Sequence, residues 1–123
     1  MKIVHVTPYF KEYLAGQEKF VINLCRELTS IGFDIWILTS GQNIQNTSLE
    51  IYDGIKVLRH HRLFTIMRTP ITPSIIKGLI THSLDAQIVH VHNIYHFQTL
   101  TAHITKTLTN IKPRFILHEH GIL

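Results

Sequence analysis

The period of the sequence changes twice near its start, and that change leaves few folds open. Ile3-Val4-His5-Val6-Thr7 is a short, β-branched run with the character of a strand buried on both faces. Pro8 ends it and a loop runs to Gly16. Phe20, Leu24, Leu28 and Ile31 then fall on one helical stripe, supported by Val21, with Lys19, Asn23, Arg26 and Glu27 elsewhere. Gly32 stands where a helix-terminating glycine belongs, and Phe33–Thr39 is a second apolar strand. Strand, helix and strand joined this tightly form a right-handed βαβ unit whose strands are parallel neighbours.

The rest of the chain extends the same alternation. A polar loop at 40–48 precedes Leu49–Tyr52, Asp53-Gly54 and Ile55–Arg59, where Asp-Gly supplies the positive φ angles of a type I′ hairpin. Residues 60–71 read as an apolar loop without pattern. Thr72 as N-cap and Pro73 as first helical residue open a helix to about Leu84. Gln87–Val91 is a further strand, about 97–109 a helix, and Arg114–His118 the last strand. The fold expected is α/β, an open and mainly parallel sheet with helices on both faces and a hairpin near residues 49–59. Residues 1–123 form one domain, expected to be incomplete at its C-terminus because a covering helix normally follows the last strand.

Composition narrows the function. The 123 residues are 45% hydrophobic and 16% charged, enough apolar content for a core and too little charge for a disordered tail or a coiled coil. Apolar runs such as Ile35-Trp36-Ile37-Leu38 are far shorter than a membrane span, and the N-terminus has no signal-peptide core, so a cytoplasmic location is expected. Twelve Lys and Arg against eight Asp and Glu give a net charge of +4, but the basic residues are scattered. Nucleic acid is therefore not favoured as a partner, while a phosphate-bearing or membrane-associated substrate fits the excess. The lone Cys25 excludes an internal disulfide and a cysteine-based zinc site, and its place inside a helix makes it a small hydrophobe, not a nucleophile.

Two groups of residues could carry chemistry. Ala15-Gly16-Gln17-Glu18 lies between the first strand and the first helix, where an open α/β sheet holds its ligands. A glycine there lets the main chain approach a ligand, and the helix N-terminus offers unpaired N–H groups to an anion. One glycine is not the three-glycine dinucleotide pattern, and for the loop alone a tight turn with Glu18 on the helix dipole is the favoured account. The second group is the histidines. His90 and His92 share one face of a strand, and His118 and His120 repeat that spacing on another. Two such pairs on neighbouring strands, with His96 nearby, could hold zinc, yet histidines bonded to the backbone are commoner in cores, and no metal is expected. His92 and His120 are instead expected to project into the crevice.

These residues together resemble the opening of the retaining glycosyltransferases of family four, also called the glycosyl transferases group one. The resemblance runs through Lys2–Thr7 with Pro8-Tyr9-Phe10, Gly16-Gln17-Glu18, the helix Lys19–Leu28 and Ile31-Gly32-Phe33 leading into Asp34–Thr39. It continues through Asp53-Gly54-Ile55-Lys56-Val57, Thr72-Pro73, Asp85 with Ile88–His92, and Leu117-His118-Glu119-His120-Gly121. Ala15 stands where the family has its first glycine, His118 where it has threonine, and Phe33 where it has histidine. The family is built on a two-domain GT-B plan, so the resemblance implies a Rossmann-like, acceptor-side domain. The E-x7-E segment that grips the donor belongs to the second domain and does not occur in these residues.

By this resemblance the intact enzyme moves a sugar from a nucleotide-sugar donor to a sugar or lipid-linked acceptor with retention of configuration. His120 is the expected catalytic residue, and Gly16, Gln17, Glu18, His92, Asn93 and Gly121 the expected substrate-binding ones. No cofactor is implied for this chain, the nucleotide-sugar being a substrate, and the chain alone is expected to be inactive. A lipid-linked acceptor would bring it to the inner face of the membrane as a peripheral contact, and the incomplete sheet is expected to drive self-association. The alternative is a non-catalytic α/β module that binds a phosphorylated ligand or a protein partner in the same crevice.

Overall fold

A computed structural model describes residues 1–7, 9–10, 16–41, 45–66, 69–92 and 114–118. The elements in chain order are β1 (Lys2–Val6), α1 (Gly16–Ser30), β2 (Asp34–Gly41), β3 (Ser48–Tyr52), β4 (Ile55–His61), β5 (Phe64–Ile66), β6 (Thr69–Ile71), α2 (Ile75–Ser83), β7 (Ile88–His92) and β8 (Arg114–His118). Six strands form one sheet in the order β3-β4-β2-β1-β7-β8. β1 pairs in parallel with β2 and β7, β2 with β4, and β7 with β8, while β3 pairs antiparallel with β4. The chain is thus α/β with a mixed, mainly parallel sheet. From β1 it steps outward through β2 to β4, then returns to the other side of β1 with β7 and β8, so its direction of growth reverses between β1 and β7.

Alternation along the strands divides the apolar side chains between two layers. Ile3, Ile35, Ile37, Ile55 and Val57 pack with Val21, Ile22 and Cys25 of α1. Val4, Val6, Leu38, Leu58, Val89 and Val91 pack with Ile75 and Leu79 of α2. The two helices therefore cover opposite faces, as the alternating pattern predicts. Among the described residues no helix is long and apolar enough to cross a membrane.

The stripe of α1 differs from the one expected. Val21, Ile22 and Cys25 are buried and Leu24 and Leu28 half-buried, whereas Phe20 is 42% and Ile31 70% exposed. The buried face is turned about one residue from the expected stripe, with Val21, Ile22 and Cys25 set against the sheet, and Ile31 lies beyond the last helical residue. Gly32 ends the helix at φ +100°, with Gly32 N–H donating to Thr29 O and Phe33 N–H to Leu28 O at 3.1 Å each. That pair of bonds is a Schellman motif, and Leu28 and Phe33 both pack on the α1-side core.

The hairpin forms as expected, with positive φ at both Asp53 and Gly54 and Tyr52 opposite Ile55. The segment 60–71 is not the loop expected. β4 continues to His61, and β5 and β6 form a two-stranded antiparallel ribbon with Phe64 opposite Ile71 and Thr65 opposite Pro70. α2 also begins later than expected, at Ile75, with Ser74 as N-cap and no side-chain cap. The Thr72 and Pro73 carbonyls accept from Ile75 and Ile76 N–H at 3.1 and 3.2 Å, so a tight turn precedes the helix. Gly78 of α2 sits over His60, where an added Cβ would meet the ring at 2.5 Å. The expected helix at about 97–109 lies outside the described residues.

Candidate functional site

β1, β2, β4, β7 and β8 all run the same way, so the chain leaves each at one edge of the sheet. The reversal between β1 and β7 opens a crevice at that edge in sheets of this kind. The residues gathered there come from the strand ends: Thr7 after β1, Thr39 and Ser40 in β2, His60 in β4 and His92 at the end of β7, all buried. Tyr9 O accepts from Thr7 Oγ1 at 3.2 Å, and Arg59 Nη1 donates to Phe10 O at 2.9 Å. Arg62 donates to Ser40 Oγ at 2.8 Å, with its guanidinium 5.1 Å from the centre of the Tyr9 ring.

Gly16, Gln17 and Glu18 form the first turn of α1, and Glu18 is buried there at 4% exposure. The helix thus starts at the expected glycine, with an acidic residue in its first turn. The Phe20 ring of the same helix lies edge-on to His92 at 6.3 Å between centroids, so β7's last residue and the start of α1 are neighbours. His92, expected in the crevice, is fully buried beneath the helix. His118 stands beside His92 in the sheet register. Asn93, His96, His120 and Gly121 lie outside the described residues.

Sequence reading missed the partner of the β7 histidines. β1 and β7 carry the same four residues, Ile-Val-His-Val, in matched register: Ile3 beside Ile88, Val4 beside Val89, His5 beside His90, Val6 beside Val91. His5 therefore shares a face with His90 and His92. His5 Nδ1 and His92 Nε2 are 2.9 Å apart, and the His90 and His92 rings stack at 4.1 Å between centroids. His5 is fully buried, and burial first, then the charge of His90, pushes its pKa down to about 3, so it stays a neutral imidazole. Its Nε2 has no hydrogen-bond partner among the described residues. The repeated tetrapeptide was the available signal, and it pairs the β7 histidines with His5 of β1.

Cys25 is buried in α1 and its thiol is pushed up to about 12 by burial, which makes it inert as a nucleophile at neutral pH. Comparison with protein-family models, curated proteins and solved structures found no match.

Proposed function

We propose that this chain is the acceptor-side, Rossmann-like half of a retaining family-four glycosyltransferase. The observation that carries the reading is the reversal of chain direction between β1 and β7, with the Gly16–Glu18 turn and His92 brought to its edge. Counting only the parallel strands, the order outward from β1 is that of doubly wound nucleotide-type sheets. The motif order that resembles the family falls on matching elements: the glycine turn on the start of α1, Asp53-Gly54 on the hairpin turn and Ile88–His92 on β7.

In this reading the reaction asks little of a protein nucleophile. A nucleoside diphosphate leaves the anomeric carbon, and N–H groups and cations stabilise the charge that develops on its phosphate. The first turn of α1, where Gly16 lets the main chain approach, supplies N–H groups of that kind. By the resemblance, Gln17, Glu18 and Asn93 hold the acceptor so that its hydroxyl faces the anomeric carbon, while His92, fully buried beneath α1, does not reach it. The family resemblance assigns His120 and Gly121, which lie outside the described residues, to the transferred sugar.

The test uses the complete gene product, incubated with a panel of nucleotide-sugars and sugar or lipid-linked acceptors. Transfer with retained anomeric configuration, read by NMR of the product, is expected, and His120→Ala should lower it roughly a hundredfold without loss of fold. Residues 1–123 alone should show no transfer. A folded gene product that binds phosphorylated ligands yet transfers nothing would instead establish the non-catalytic module.

A further inference from the structure

We propose that His5, His90 and His92 form a binding site for a divalent ion of the zinc class, set between the sheet and α1 at the point where the chain reverses. Each residue offers one ring nitrogen, and the three atoms lie within 4.8 Å of one another. A tetrahedral ion about 2.0–2.1 Å from each nitrogen needs nitrogens about 3.3 Å apart, close to the 2.9 Å already found between His5 and His92. The rings stand face to face, 4.1 to 5.2 Å between centroids, so closing the set on an ion requires them to rotate and bring their in-plane lone pairs together.

The same cluster is poorly explained as core packing. His5 is fully buried with Nε2 unpartnered among the described residues, and a buried unsatisfied nitrogen costs about 1–3 kcal/mol. An aliphatic side chain such as those of Val4 and Val6 would avoid that cost. An ion at the His5–His92 approach draws on the lone pair of His5 Nδ1 and leaves Nε2 carrying the ring proton. Three imidazoles without a thiolate select zinc, cobalt(II), nickel(II) or copper(II) over magnesium or calcium. Three protein ligands also leave a fourth position open, and the half-buried His90 is the side from which it can be reached.

The experiment uses tag-free protein stripped of metal with a chelator and titrated with cobalt(II) in place of zinc. One equivalent should bind saturably with the visible absorption of tetrahedral nitrogen coordination, and zinc should displace it. Zinc should raise the melting temperature, while magnesium and calcium at equal concentration should not. His90→Gln should weaken cobalt binding more than tenfold, whereas His61→Gln and His82→Gln should leave it unchanged. Because His5→Ala removes a fully buried core residue and so puts the fold itself at risk, the wild-type protein carries an independent readout. Long-range proton–nitrogen NMR should show the His5, His90 and His92 rings shifting together on zinc addition. Absence of saturable one-equivalent binding, binding that survives His90→Gln, or ring shifts confined to other histidines would each overturn the proposal.

Discussion

His60 is 2% exposed on the α2 side of the sheet, its Nδ1 3.3 Å from Thr47 Oγ1 and its ring against Gly78. Burial, and after it the charge of His82, lowers its pKa from 6.5 to about 4. The unfolded chain accepts a proton that the folded protein refuses, so His60's contribution to stability is full at neutral pH. It is lost as pH falls from the unfolded value toward the folded one. Between about pH 7 and about pH 5 this one group should lower the unfolding free energy by about 2 kcal/mol. Urea unfolding of wild type and His60→Gln at the two pH values checks it: the variant should lose the corresponding part of the slope.

At the scale of elements, the β3–β4 turn is fastened to α1. Arg26 Nε donates to Asp53 Oδ2 at 2.9 Å and Arg26 also donates to the Tyr52 hydroxyl, while a Cβ on Gly54 would meet Thr29 Cγ2 at 3.1 Å. Gly54 combines φ +81° with that close approach, so Gly54→Ala should cost about 1–2 kcal/mol, whereas Arg26→Ala, which breaks a half-exposed pair, should cost under about 1 kcal/mol. Thermal unfolding of the two variants should rank them in that order. This turn was legible in the sequence because Asp-Gly between alternating segments has a local cause, and so was Gly32. The β5–β6 ribbon was not, since Leu63, Phe64 and Ile66 are all exposed and leave no alternation to read. The α1 stripe was misjudged because Phe20 and Ile31 are apolar yet sit outside the core, a matter of tertiary packing. His92 was legible as a residue of interest, but its partner His5 depended on which strands are neighbours.

The molecule as a whole ends in two outer strands among the described residues. β3 pairs with β4 alone, and its Leu49 and Ile51 are 55% and 64% exposed on the α2 side, while β8 carries Ile116 at 43% exposure. Apolar side chains on an edge strand invite pairing between copies. Sedimentation at several concentrations should show self-association, and Ile51→Lys should reduce it with a stability change within about 0.5 kcal/mol. Association undiminished by that change would shift the contact to the β8 end. The matched tetrapeptides of β1 and β7 have a consequence for how the sheet assembles. Two strands with the same four side chains offer β2 nearly the same pairing surface, so contact energy does little to decide which becomes the central strand. That choice falls to chain connectivity. β1 reaches β2 through the single crossover of α1, whereas β7 reaches it only by closing a loop that spans the hairpin, the ribbon and α2. The shorter loop costs less entropy to close, so connectivity favours β1 beside β2.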